Sequence, residues 1–437
     1  MTSVLIAPWG KPWRGDGGWN WEEVDYTMAG STLRGRTTLP LLRQRVNPSK
    51  VLLIVLDTAI DEGGYQSYSD MEKQVAHKFS RFLIDELKVV MKPEPEFAIA
   101  PGVGKFKISS GTAIFKGRMS DFYAYTFFKL ANFLNVQDNK LDVHLDLTHG
   151  INFMPTLAYR ACRDALGILA LAKDNVTLRV YNSEPFNRDA TRQAEIHIVE
   201  DRRIQPSIAS DALDTDKGSQ LLRPAPVSDA DIGRDQAAEY NSFLSSIING
   251  LPLALYTFYP NSSEIFAQLD RALDAWRSEI GVSSADDGIV VDRKTLFTQH
   301  FVTITRIGIA SRALNMSRKS EASMDELVRT LPIYSRWTKV HEMVSDELIK
   351  ISDQVRYQRK RNSRELEDWT RLFSSGQDLR RPEHFMRIFF AHSGLASPLT
   401  HLKFEKGTIK MRYDRDQLDF VKRLCQGGLV HGPELIG

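Results

Sequence analysis

Leu141-Asp-Val-His-Leu-Asp146-Leu-Thr-His-Gly150-Ile-Asn-Phe-Met-Pro155 carries the fold in one stretch. Leu141–Leu145 is strongly β-like, and Phe153–Leu171 has helical period. Between them Asp146, Thr148, His149, Gly150 and Asn152 crowd into a single strand-to-helix turn. Such a turn aims backbone N–H groups from a helix N-terminus and suits an anion such as phosphate. A plain βα turn, with Thr and Asn capping the helix, fits the same residues.

Similar β-rich apolar runs occur at Val4–Ala7, Val51–Leu56, Phe97–Ala100, Val176–Tyr181 and Ile196–Val199, with helical segments at Met71–Leu87 and Asp121–Leu134. Strands separated by helices imply right-handed βαβ units and a largely parallel sheet. Residues 1–205 are therefore expected to form an α/β, Rossmann-like domain. Pro8, Trp9 and Gly10 close the first strand, where a parallel sheet binds ligands. The glycines at 10, 15, 17 and 18 miss the dinucleotide fingerprint, because Asn20 stands in place of its third glycine. Gly102-Val-Gly-Lys105 is not a P-loop: Ile99 occupies the earlier glycine position and Phe106 follows the lysine.

Residues 206–231, with three prolines and few large apolar side chains, read as a linker. Residues 232–437 read as a mainly α-helical domain with short β insertions. Ile265, Leu269, Leu273, Trp276 and Ile280 recur at helical steps, and Ser323 with Glu326 forms a capping box. Further helices are expected at Thr295–Met316, Lys339–Tyr357 and His384–His392. Gly281–Asp292 reads as a loop and Glu405–Tyr413 as a short hairpin or strand.

A net charge of +2 leaves any nucleic-acid binding to local patches. Two distant cysteines allow neither a disulfide framework nor a thiolate zinc site, and the ten histidines lack metal-binding spacing, so no metal or cofactor is expected. MTSVLIAPWG reads as a β-strand, not a signal peptide, and no apolar run is long enough to span a membrane. A cytoplasmic location is the expectation.

Near the end stands Arg387-Ile-Phe-Phe-Ala-His392, then Ser393-Gly394. On a helix the five-residue step separates the Arg and His side chains by about 140° and about 7.5 Å along the axis. They border a groove rather than share a face. Metal-free RNA cleavage needs an imidazole to move protons and a guanidinium to meet phosphate charge. An Arg and a His at a helix end equally suit capping. Arg356, Arg359, Lys360, Arg361 and Arg364 form a basic stretch that suits either RNA or a solvated helix face.

The chain resembles the CARF–HEPN ribonucleases of type III CRISPR systems. The likeness rests on Gly10-Lys-Pro12 with Trp21-Glu-Glu-Val24-Asp-Tyr26, on the Asp-x-Thr-His-Gly-x-Asn-x-x-Pro turn at 146–155, and on Arg387-x-x-x-x-His392 late in a helical domain. It departs from the family in Ile388, where a polar residue usually follows the arginine, and in a longer stretch holding Trp13, Trp19 and Trp21. The resemblance implies a CARF sensor and a HEPN ribonuclease domain, assembled as a homodimer or an oligomer of dimers. It implies a cyclic oligoadenylate activator, cyclic tetra-adenylate foremost. This would be held by Pro8, Trp9, Gly10, Asp146, Thr148, His149, Gly150 and Asn152. It also implies metal-independent cutting of single-stranded RNA by Arg387 and His392, leaving 2′,3′-cyclic phosphate ends. The alternative is a ligand-responsive regulator that binds RNA or a partner without cutting.

Overall fold

Near-continuous apolar runs mark strands buried on both faces. In the computed structural model, which describes residues 1–14, 18–87, 93–185, 192–224, 230–285, 288–361, 366–372 and 382–430, three strands buried on both faces lie side by side. They are β1 (Thr2–Trp9), β4 (Lys50–Leu56) and β8 (Lys140–Asp146). Ile6 faces Leu52 on one side and Leu145 on the other. With β5 (Glu96–Ala100) and β9 (Asn175–Ser183) they form a parallel sheet in the order β5-β4-β1-β8-β9. The chain runs outward from β1 to β5, then returns to β8 on the other side of β1. This reversal makes the carboxyl ends of β1 and β8 a topological switch point, where doubly wound sheets bind ligands. The connecting helices are α2 (Tyr68–Leu87), α3 (Met119–Phe133) and α4 (Met154–Leu169).

Three pieces were not foreseen. A hairpin of β2 (Val24–Met28) and β3 (Ser31–Gly35) extends the sheet past β10 (Gln193–Arg203), followed by a short helix α1 (Leu39–Val46). A second hairpin joins β6 (Gly104–Ile108) to β7 (Gly111–Lys116). The third overturns an expectation. Gly281–Asp292 is not a loop, because β12 (Ile280–Ala285) and β13 (Gly288–Arg293) pair there, and β13 lies parallel to β7. Ile289, Val291 and Arg293 alternate inward and are buried by that partner, which is remote in sequence.

By its contacts the chain divides into two units. The first holds 1–205, 222–228 and 270–302; the second holds 206–221, 229–269 and 303–437. The stretch read as a linker is partly packed: Leu213, Leu221 and Leu222 are buried, and Asn241 exchanges hydrogen bonds with the Leu213 backbone. Gly15, Gly17, Pro226 and Arg364 lie outside the described residues.

A buried ion pair ties the β12–β13 hairpin into the first unit. Arg293 donates to Asp57 just beyond β4, and both side chains are fully buried. Asp57 also accepts from the Gly102 N–H (2.8 Å) and the Tyr68 hydroxyl (2.8 Å), while Arg293 donates to the carbonyls of Gly102 (2.7 Å) and Lys116 (3.2 Å). Gly102 has to be glycine, since a Cβ there would come within 2.5 Å of Thr58 Cγ2.

The second unit is mainly helical. It includes α5 (Arg234–Ile248), α6 (Pro252–Thr257), α9 (Met324–Val328), α10 (Leu331–Tyr334), α11 (Thr338–Arg361), α12 (Pro382–Ala391) and α13 (Leu418–Val430), with parts of α7 (Ser262–Ser278) and α8 (Gln299–Leu314). The capping box forms as expected, with Ser323 Oγ accepting from the Glu326 N–H and Glu326 accepting from the Ser323 N–H. The hairpin of β17 (Thr400–Glu405) and β18 (Thr408–Tyr413) is flanked by β15 (Ala322–Ser323) and β16 (Thr370–Arg371). A single break in the buried pair of the first unit should be costly. Arg293→Met is expected to destabilise that unit by about 3–5 kcal/mol, because it strands a buried carboxylate; urea unfolding followed by tryptophan fluorescence measures this.

Candidate functional site

In the first unit, Asp146 ends β8 and organises the turn that follows. Its Oδ1 accepts from the Thr148 N–H (3.0 Å) and hydroxyl (2.6 Å), and its Oδ2 accepts from the Thr38 hydroxyl (2.5 Å). The Thr148 oxygen in turn accepts from the Ser183 N–H (3.1 Å). Thr148 is thus committed to holding the turn. Asn152 is exposed at φ +50°, a left-handed conformation that Asn tolerates. Among the described residues the backbone N–H groups of Ile151, Asn152 and Phe153 have no partner, and they stand just before α4.

His149 is where the two N-terminal motifs meet. Its ring lies on Trp21 (centroids 4.4 Å, 32°), edge-on to Trp9 (6.3 Å) and Tyr26 (6.2 Å). Nε2 accepts from the Thr38 N–H (3.2 Å), which requires that nitrogen to be unprotonated. Burial lowers the imidazole pKa to about 4, against the opposing pull of Asp146.

A cavity of about 780 Å³ opens beyond the carboxyl ends of β1 and β4. Of the expected ligand contacts only Gly10 lines it, joined by Ile151 from the turn. Pro8 and Trp9 are buried in β1 and do not line it, nor do Asp146, Thr148, His149, Gly150 and Asn152. Lys11, Arg14 and Lys107 bring positive charge to the wall, and Trp13 and Trp21 bring aromatic faces. Lys11 is neutralised by Asp61, whereas Arg14 and Lys107 are exposed without an ion-pair partner among the described residues. Trp13 packs on Phe79 (4.9 Å) and Trp19 on Phe82 (5.5 Å), so both also serve the core. Lys107 belongs to β6, whose fold depends on β7 and was not legible locally.

In the second unit, α12 ends in a Schellman motif. The Gly394 N–H donates to the Phe389 carbonyl (2.8 Å) and the Ser393 N–H to the Phe390 carbonyl (3.0 Å). Ser393, not Gly394, takes the first left-handed position, at φ +50°. Phe389 and Phe390 are buried, which fixes the helix end and leaves Arg387 exposed and His392 half-buried at the C-cap. Among the hydrogen bonds of the described residues, none joins Arg387 to His392. Instead His392 Nδ1 is 3.0 Å from Glu347 Oε1 on α11. This hydrogen bond raises the imidazole pKa, opposed by partial burial and by Lys350. Glu347 was missed. Its signal was a carboxylate on the buried stripe Val340, Val344, Leu348, Ile351 and Val355.

The basic stretch lies on the last turns of α11. Arg356 pairs with Asp353 (3.5 Å), Arg359 lies over the Phe404 ring (3.7 Å), Arg361 is 3.4 Å from the Tyr357 hydroxyl, and Lys360 is exposed. Among the described residues, one group with metal-binding spacing occurs, the exposed trio Glu184, Glu195 and His197, all in the first unit. No helix of the described residues is long and apolar enough to cross a membrane.

The first unit is thus a doubly wound sheet with a cavity lined by basic and aromatic side chains beyond the carboxyl ends of β1 and β4. Residues 4–185 match the family model described as the CARF domain of the CRISPR system endoribonuclease Csx1. Over 421 residues, 92% of this chain and 87% of the relative, the protein is 28% identical to the CRISPR system endoribonuclease Csx1 of Methanocaldococcus jannaschii.

His149 should make the first unit acid-sensitive. Its folded pKa lies below the ordinary 6.5, so the stability it contributes is complete above that value and is lost as pH falls toward about 4. Thermal unfolding followed across that interval should show a smaller loss for His149→Gln, which keeps an acceptor for Thr38, than for the native protein.

Proposed function

We propose that the protein is a CRISPR-associated endoribonuclease of the CARF–HEPN type, switched on by a cyclic oligoadenylate and cutting single-stranded RNA without a metal ion. One observation carries this reading: the similarity to a named endoribonuclease runs through both units, including the Arg387–His392 stretch's half of the chain. The CARF match over residues 4–185 supports a nucleotide sensor in the first unit. The N–H groups at 151–153, with Arg14 and Lys107, have no partner among the described residues and suit the phosphates of such a ring, and Trp13 and Trp21 suit its bases.

Cleavage would proceed by attack of the ribose 2′-oxygen on the adjacent phosphorus. The P–O2′ bond forms, the P–O5′ bond breaks, and a 2′,3′-cyclic phosphate and a 5′-hydroxyl result. The exposed Arg387 guanidinium meets the charge on the phosphate, and His392 takes part in proton transfer. Within one chain the two side chains diverge from α12, so a twofold dimer, which doubles every contribution, would complete the cleft. Arg356, Arg359, Lys360 and Arg361 would guide RNA toward it. Their internal partners leave Lys360 the most available of the four.

The test is RNA incubated with the protein, with and without cyclic tetra-adenylate, in EDTA. Cleavage should depend on the activator and survive the chelator; restoration of activity only by magnesium or manganese would reject the mechanism. His392→Ala should lower the rate at least ~10²-fold with activator affinity unchanged. Calorimetry should give one ring per two chains. Arg14→Ala with Lys107→Ala should weaken activator binding, as should Asn152→Gly, which keeps the left-handed backbone while removing the side chain.

A further inference from the structure

We infer that Glu347 is a positioning residue that holds the His392 imidazole with its proton-bearing Nδ1 turned inward, so that Nε2 is presented to RNA as the acid that protonates the leaving 5′-oxygen. This rests on the ribonuclease reading and assigns it a proton donor.

The geometry carries the inference. Glu347 lies on the buried face of α11, its side chain only 10% exposed, between Val344 and Leu348. A carboxylate in such a position costs free energy unless its oxygens are hydrogen-bonded. Oε1 meets His392 Nδ1 at 3.0 Å, and Oε2 has Lys350 Nζ at 3.8 Å. Because a carboxylate only accepts, Nδ1 must carry the hydrogen. Nε2 then becomes the reactive nitrogen. It has no partner among the described residues, and the His392 side chain is 44% exposed, so that face of the ring is open. The ring cannot swing freely. His392 is the C-cap of α12, and its own N–H donates to the Ile388 carbonyl (3.1 Å).

Among the described residues, the charged groups that act on this ring are Glu347 and Lys350, both on α11. Carbonyls at the end of α12 add a further preference for a cation there. Together they keep Nε2 protonated to higher pH than in a free histidine, Lys350 partly opposing. In the step itself the P–O5′ bond breaks as the P–O2′ bond forms. The Nε2 proton passes to the 5′-oxygen, and the 2′-hydroxyl proton leaves to water. The ring ends neutral with Nδ1–H still on Glu347. Solvent then restores the Nε2 proton for the next turnover.

Two substitutions separate this role from simple packing. Glu347→Gln retains an acceptor oxygen of the same shape but removes the charge. Lys350→Met removes the opposing charge from a largely exposed side chain. The activator-saturated, full-length protein is assayed for kcat against pH, and the His392 ring is titrated by NMR in the same variants. Glu347→Gln should move both the alkaline limb of kcat and the ring titration to lower pH. At alkaline pH, kcat should fall about tenfold, a part of the ~10²–10⁴-fold that positioned proton transfer contributes. KM should change little. Lys350→Met should move both to higher pH, and Glu347→Asp should partly restore the native profile. A ring titration that shifts while the kcat profile stays put would overturn the inference, as would a ring titration indifferent to both substitutions. If Glu347→Gln does not fold, Lys350→Met alone decides it. If the native protein cuts no RNA, the ribonuclease reading fails instead, and the NMR titration still reports whether the pair exists.

Discussion

The pairing of Asp57 with Arg293 is the constraint on which the first unit turns. Two fully buried charges are tolerable only when their remaining hydrogen-bonding capacity is met. Here Gly102, Tyr68 and Lys116 supply the missing partners. The cost of burial thereby becomes a geometric demand: the end of β4, the turn after β5, the start of α2 and the last residue of β13 must all arrive at one point. Thr58, next to Asp57, lines the cavity, and β6, which follows Gly102, supplies Lys107 to its wall. The shape of the cavity is therefore set by a charge pair that does not touch it.

That dependence explains what was legible in sequence and what was not. The strands β1 and β4 announce themselves because a strand buried on both faces favours a near-continuous apolar run, β5, β8 and β9 by shorter or alternating apolar patterns between helical segments, and the Asp146–Pro155 turn because it concentrates polar residues between a strand and a helix. The β12–β13 hairpin hides. Its outward positions mix Gly288 and Asp292 with Val290, so no clean alternation shows, and its inward set, Ile289, Val291, Arg293, acquires meaning only from β7. An arginine at an inward position looks like an error in the pattern until Asp57 is known. Glu347 hides for the same reason: the stripe on α11 is plain, and a carboxylate within it reads as an interruption until His392 is placed opposite.

The residues expected around the ligand divide by this logic as well. Asp146, Thr148 and His149 stand out in sequence because they are polar and crowded, yet their hydrogen bonds are spent on each other, on Thr38 and on Ser183. They build the turn. What the turn then offers outward is backbone N–H, which no side-chain pattern displays. The cations of the cavity wall come from Arg14 and Lys107, separate segments that no local motif connects.

The two histidines singled out from sequence are shifted in opposite directions, each for a reason set by its neighbours. His149 accepts a backbone N–H and is enclosed by Trp21, Trp9 and Tyr26, so the cation has nowhere favourable to be and the ring stays neutral. His392 faces a carboxylate at a helix C-terminus with one side open to water, so the cation is favoured. A neutral, enclosed imidazole suits a fixed part of a binding module, where a proton gained or lost would disturb the turn. A half-open imidazole with one nitrogen anchored suits proton transfer, because the proton can leave and return at Nε2 without any heavy atom moving. The same side chain thus serves structure in one unit and chemistry in the other, and the difference lies in what each ring nitrogen is given to bind.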